Sequence, residues 1–185
     1  MNKDKIRQRS AAYPFELPYR LINMFSIKGD MVLDPFLGIG TTTMAAMTAG
    51  RNSIGFEIED AFRDAIASRM RTVVQISNQR IRERIKGHME FVKARFEKKG
   101  AFKYRNKHYH FPVITRQETD LLLNRISSVE QGEKNMFNVI CSEEPQKEFY
   151  HHWDDYIVSG TGASHEKKRK SKKAEKKPVQ LRISG

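Results

Sequence analysis

Gly38-Ile39-Gly40 constrains this chain more than any other stretch. It stands between a short apolar run, "MVLD" (31–34), and an Ala- and Met-rich run, "TTTMAAMTAG" (41–50). A second apolar run, "NSIGFEIE", follows and ends in acid. Strand, glycine turn, helix, strand and acid, in that order, make the nucleotide-binding half of a doubly wound α/β sheet. Gly38 and Gly40 allow a tight turn and let a ligand approach the main chain with no side chain in the way. Glu57, at the end of the second strand, is placed to accept hydrogen bonds from the two ribose hydroxyls of an adenosine.

The residues around the turn sort the ligands. A dinucleotide fingerprint needs a third glycine where Thr43 stands, and a phosphate loop needs a Gly-Lys pair that is absent here. Asp34, just before the turn, repels pyrophosphate and favours a cation. S-adenosylmethionine carries an ammonium and a sulfonium and no phosphate, so the charge pattern prefers it. The plainer alternative is that Asp34 caps the turn and the glycines only make a bend.

The longer string "LDPFLGIGTT", Leu33 to Thr42, resembles motif I of the DNA amino-methyltransferases, which methylate the exocyclic amine of adenine or cytosine. The resemblance implies that Asp34, Pro35, Phe36, Gly38, Gly40, Thr41 and Thr42 cradle the methionine end of S-adenosylmethionine. It implies also that Glu57 holds the ribose. Upstream, "RSAAYPFELPYRLINMFS" resembles motif X, with Arg9 and Ser10 where His and Pro are usual, while Ala11, Tyr13 and Pro14 fit. Tyr13 would then close over the methionyl end. Motif X directly before motif I implies the beta-type order, in which catalytic motif and target-recognition region come first. The resemblance covers roughly Arg9 to Arg71.

The family's catalytic loop is Asp, Asn or Ser followed by Pro-Pro and an aromatic, which hold the flipped base and its amine. The six prolines here, Pro14, Pro18, Pro35, Pro112, Pro145 and Pro178, are all isolated. No catalytic residue is therefore assigned. The expectation is the cofactor-binding part of a DNA methyltransferase whose catalytic motif lies on a second chain or a missing N-terminal segment. A split subunit, a fragment and a decayed reading frame all give this pattern. The rival reading is a non-catalytic nucleic-acid-binding accessory protein with a vestigial cofactor fold.

Along the rest of the chain, "PFELPYRLINMFS" predicts a short helix with Leu17, Leu21, Ile22 and Phe25 on its apolar face, and "DAFRDAIASRM" a helix capped by Asp60. A stripe of Ile81, Ile85, Met89, Val92 and Phe96 predicts a long helix or helical hairpin ending at Gly100. "KHYHFPVITRQETDLLLNRI" reads as a strand and a capped helix, and "NMFNVICSE" as a strand. The expected organisation is a flexible N-terminus (1–10), a cofactor-binding half with a partial Rossmann-like sheet (11–75), a helical and small α+β extension (76–158), and a basic disordered tail (159–185).

Thirty-four Lys and Arg against 22 Asp and Glu give a net charge of +12, which points to a polyanionic partner, double-stranded DNA before membrane. Half of that surplus sits in "HEKKRKSKKAEKKP", with eight basic residues and two Glu, including Lys167, Lys168, Arg169 and Lys170. "KYRNKHYHF" interleaves Lys103, Arg105 and Lys107 with Tyr104, Tyr109 and Phe111, a mixture suited to phosphate contacts with stacking, or equally to a solvated edge strand. Cys141 is the sole cysteine, which fits a reducing cytoplasm. His108, His110, His151, His152 and Cys141 match no zinc spacing, so no metal is expected.

Overall fold

The computed structural model describes residues 13–133, 135–158 and 179–184, the last six by their backbone alone. The elements are α1 (Glu16–Phe25), β1 (Met31–Asp34), α2 (Thr41–Ala49), β2 (Asn52–Phe56) and a 3₁₀ turn (Asp60–Phe62). They continue with α3 (Arg63–Lys99), β3 (Tyr104–Arg105), β4 (Pro112–Val113), β5 (Ile126–Gln131), β6 (Phe137–Cys141) and β7 (Val179–Ser184). Two compact units share the chain. The first takes the described residues up to Arg80, then Arg125–Ser142 and β7; the second takes Ile81–Asn124 and residues 143–158. A linear division at residue 75 does not describe this arrangement, because β5 and β6 return to the first unit.

In the first unit a five-stranded mixed sheet runs β1-β2-β7-β6-β5. β1 and β2 are parallel, with Asp34 opposite Gly55, and β2 is parallel to β7. β6 pairs antiparallel with both β5 and β7. The tail expected to be disordered from residue 159 thus contributes a strand at 179–184; "VQLRIS", with its β-branched residues, suits one. Lys167, Lys168, Arg169, Lys170 and the loose N-terminus (1–10) lie outside the described residues.

All nine residues of α2 are buried. Met44 and Met47 face Ile66, Met70 and Val73 of α3 together with Phe137 and Val139 of β6. Ala45, Ala46 and Ala49 face Tyr19 and Ile22 of α1, and Val32 of β1 packs with them. The alanines' small side chains let α1 approach closely. Gly50 ends the helix at φ 72°; its N–H bonds Met47 O at 3.1 Å, and Arg51 N–H bonds Ala46 O at 2.8 Å. That pattern is a Schellman stop. The Arg51 side chain, 7% exposed, then donates to Ser26 Oγ (3.0 Å), Ser26 O (2.6 Å) and Ala49 O, tying the ends of α1 and α2 together.

Two expectations about these helices are corrected. The buried stripe of α1 is Pro18, Tyr19 and Ile22, whereas Leu17, Leu21 and Phe25 are exposed, because the facing alanines lie along the other side. Asp60 makes no capping bond; it starts the 3₁₀ turn and pairs with Arg63 at 3.0 Å.

α3 is one continuous helix of 37 residues, not a hairpin. Its later half carries the core of the second unit: Ile81, Ile85 and Val92 are buried with Phe102, Tyr109, Phe111, Val113, Phe149 and Trp153, and Met89 and Phe96 pack beside them. The helix expected after Thr115 is a single 3₁₀ turn, Gln117–Asp120. Its start signal is real, since Glu118 Oε2 accepts from Thr115 N–H at 2.7 Å and Thr115 Oγ1 at 2.8 Å. Buried Asn106 then takes the Glu118 and Leu121 carbonyls, each at 2.8 Å, which a continuing helix would need.

Candidate functional site

The turn between β1 and α2 is built from both strands. Leu37 N–H bonds Phe56 O at 2.8 Å, and Gly40 N–H bonds Leu37 O at 2.9 Å. Gly38 (φ 53°) and Gly40 (φ 79°) both sit in left-handed backbone, which costs glycine nothing and other residues roughly 1–2 kcal/mol. Gly40 is the N-cap of α2 and offers no side chain there, so the first N–H groups of the helix lack a side-chain cap.

Glu57 is fixed on this turn. Its Oε2 accepts from Gly38 N–H at 2.7 Å and its Oε1 from Glu59 N–H at 2.9 Å. The strand-end acid and the glycine turn are therefore one hydrogen-bonded unit, although 19 residues separate them. Each carboxylate oxygen keeps a second lone pair for a hydroxyl donor. Asp34 Oδ1 accepts from Phe36 N–H at 3.1 Å. Its Oδ2 is buried and has no partner among the described residues. A buried carboxylate oxygen without a donor needs a partner from outside these residues, such as a water, an ion or a ligand.

The other expected residues fall around the same turn. Tyr13 OH and Thr42 Oγ1 share a 2.5 Å hydrogen bond, which brings the segment before α1 onto the first turn of α2. Thr41 and Thr42 are buried, Pro35 is exposed, and the Phe36 ring is 87% exposed. The structure thus brings Tyr13 to Thr42, Gly38 to Glu57 and Asp34 to Phe36.

Leu37 and Gly55 were not singled out by sequence reading. A Cβ built on Gly55 would lie 2.6 Å from Leu37 Cδ1, so Leu37 seats its side chain on the bare backbone of β2. A glycine inside a strand was the available signal.

The basic candidates of the second unit are already engaged. Arg105 is ion-paired with Asp154, holding that carboxyl below its usual range chiefly through the hydrogen bond. Lys107 lies 3.6 Å from Asp120, and Lys103 stands over the Tyr104 ring at 5.4 Å. Tyr109 and Phe111 are corrected as stacking platforms: they are 0% and 7% exposed and stack on each other at 5.1 Å inside the core. Among the described residues no group of three or more His, Cys, Asp or Glu is placed to hold a metal ion, and no helix is long and apolar enough to cross a membrane.

Residues 1–69 match the DNA methylase family model. The chain is 48% identical over 149 residues to the type II methyltransferase M.MthZI of Methanothermobacter thermautotrophicus, and 54% identical over 66 residues to M.MjaI of Methanocaldococcus jannaschii. These matches cover 80% and 36% of this chain but only 41% and 22% of those proteins, so the chain spans less than half the length of either. A crystal structure of a DNA modification methylase from Thermus thermophilus, described there as putative and complexed with S-adenosyl-L-methionine, is 35% identical. It covers 37% of this chain and 32% of its own, with a TM-score of 0.30.

Proposed function

We propose that this chain, whose residues 1–69 match the DNA methylase family model, is the S-adenosylmethionine-binding part of a site-specific DNA methyltransferase. The substrate is an exocyclic amine of adenine or cytosine in double-stranded DNA. On this reading the parallel β1-α2-β2 unit is the cofactor-binding half of a Rossmann-like sheet, working in the cytoplasm. The observation that supports it most is the 2.7 Å bond between Gly38 N–H and Glu57, which sets a carboxylate beside the glycine turn with its acceptor sites oriented in advance.

Each residue then has a task. Glu57 accepts from the ribose hydroxyls; because backbone N–H groups already hold both oxygens, it loses little freedom on binding. Asp34, with one buried oxygen lacking a donor, takes the ammonium of the methionine end. Gly38 and Gly40 leave the main chain bare for the ligand, and Pro35, Phe36, Thr41 and Thr42 line the same bend. Tyr13, anchored on Thr42, closes over the methionyl end. When bound, S-adenosylmethionine supplies a methyl group activated by its sulfonium. The polar side chain that would receive the target amine is carried outside this sequence, on the remainder of the enzyme. Lys103 and the Lys167–Lys170 run add sequence-independent attraction to DNA phosphates.

Calorimetric titration with S-adenosylmethionine tests this. Asp34→Ala and Glu57→Ala each remove a charged hydrogen bond of about 1.5–3 kcal/mol, so affinity is expected to fall roughly ten- to hundredfold in each. Unchanged affinity in both removes the assignment.

A further inference from the structure

We propose that the second unit carries a contact site for an unpaired nucleotide, whose base lies against the exposed rings of Tyr150 and His110 and whose phosphate meets Lys103 and Arg105. The proposal rests on the reading above only in taking DNA as the nucleic acid.

Two short loops build the site, each held by buried aromatic residues that turn their neighbours outward. In the first, Tyr109 and Phe111 are buried and His110 between them is exposed. The backbone of His110 is left-handed, at φ 61°, a region that is unfavourable for a residue with a Cβ and persists only where the surroundings impose it. Asn106 imposes it here. Its buried Oδ1 accepts from His108 N–H and Tyr109 N–H, both at 2.9 Å, and its carbonyl accepts from His110 N–H at 3.1 Å. In the second loop Phe149 and Trp153 are buried, and Tyr150, His151 and His152 between them are exposed. Tyr150 N–H bonds Lys147 O at 3.1 Å, so this backbone is fixed as well. The loops meet where the His110 ring stands edge-on to Tyr150, with centroids 5.8 Å apart. Neither ring belongs to the core of the unit.

The polar groups beside the rings suit an anion. Arg105 and His152 each take one oxygen of Asp154, His152 at 3.2 Å, so the acid's charge is offset and the two side chains are held side by side. Arg105 spends one of its five N–H donors on Asp154 and keeps the others for a ligand. Lys103 is exposed two residues before it, on the same side of an extended chain.

Stacking selects the form of the ligand. In a duplex each base face is covered by its neighbours and only the edges reach the grooves. A protein ring lies against a base only where the strand is open, and exposed rings flanked by cations are the combination that holds single strands. Both loops are rigid before binding, so little freedom is lost on contact.

Fluorescence anisotropy of the full chain tests the site, with a labelled thymidine oligonucleotide and with a hairpin duplex of equal phosphate count. Wild type is expected to bind the single strand more tightly. Tyr150→Ala is expected to weaken that binding roughly five- to hundredfold, the scale of one lost base stack, and Tyr150→Phe to keep it. The salt slope of Tyr150→Ala is expected to match wild type, since stacking releases no counterions. His110→Gly separates binding from folding: glycine adopts the left-handed backbone freely, so hydrogen-exchange protection is expected to hold or rise while single-strand affinity falls. Equal or tighter binding of the hairpin by wild type, or undiminished single-strand affinity in Tyr150→Ala or His110→Gly, would each overturn the proposal. A wild-type chain that binds the strand but no S-adenosylmethionine would instead count against the methyltransferase reading and leave this site standing.

Discussion

Gly55→Ala is the substitution that most directly probes how the glycine turn is held. The added methyl would sit 2.6 Å from Leu37 Cδ1, 2.9 Å from Cδ2 and 3.0 Å from Cγ. Ordinary carbon contacts need about 3.5–4.0 Å, so the whole isobutyl group must retreat by roughly 1 Å. It has little room: Leu37 is 3% exposed and belongs to the core with Met44, Met47 and Ile66. Its backbone is pinned as well, by bonds to Phe56 O and from Gly40 N–H. Overpacking of this kind costs about 1–3 kcal/mol. Hydrogen exchange of the β1 and β2 amides reads that cost in the first unit alone, and exchange is expected to quicken by roughly five- to hundredfold. Because Leu37 adjoins Phe36 and Gly38, S-adenosylmethionine affinity should fall as well. Leu37→Val on the Gly55→Ala background removes one methylene and is expected to recover part of both losses. Unchanged exchange and unchanged affinity in Gly55→Ala would refute the claim that Leu37 seats the turn on β2.

Arg51→Met keeps the length of the side chain and strips its donors from Ser26 and Ala49; loss of the charged bonds is expected to cost about 1.5–3 kcal/mol, read from β2 amide exchange, and no change would refute the clamp. His88 donates from Nε2 to Pro112 O at 2.9 Å and packs on Phe111 at 4.4 Å; burial, with a smaller push from Arg84, lowers its pKa below 6.5 against the Pro112 bond and Glu118, which raise it. The folded state therefore prefers neutral His88, and the unfolded chain takes up the proton first as pH drops. Stability of the second unit is expected to hold above pH 6.5 and to decline as pH falls through the lowered value, and His88→Gln should flatten that decline; an equal decline in His88→Gln would contradict it.

Both units were legible where local chemistry decides structure. Gly38, Gly40 and Gly50 marked a turn and a helix stop that the backbone requires, and the stripe from Ile81 to Phe96 marked the face of α3. Legibility ended where tertiary partners choose. α1 carries two apolar stripes, and only the alanines of α2 determine that Tyr19 and Ile22 go inside while Leu21 and Phe25 stay out. The helix signal at Thr115–Glu118 was genuine, but Asn106, at least 12 residues away in sequence, takes the carbonyls that would prolong it. For the site, Glu57 could be placed at the strand end from its position; its bond to Gly38 could not, because it depends on the turn folding back over β2. Arg105 and Lys107 read equally as phosphate contacts or as a solvated charged face, and the structure pairs them with Asp154 and Asp120, which local sequence does not announce.

The most direct measurement is the backbone amide spectrum of the isotope-labelled chain titrated with S-adenosylmethionine and, separately, with a pyrophosphate dinucleotide. S-adenosylmethionine is expected to shift the amides of Asp34, Phe36, Gly38, Gly40, Thr41, Thr42 and Glu57 as one saturable set, while the dinucleotide leaves them in place. Shifts confined to other residues, or a stronger response to the dinucleotide, would contradict a pocket made for a cationic, phosphate-free adenosyl ligand.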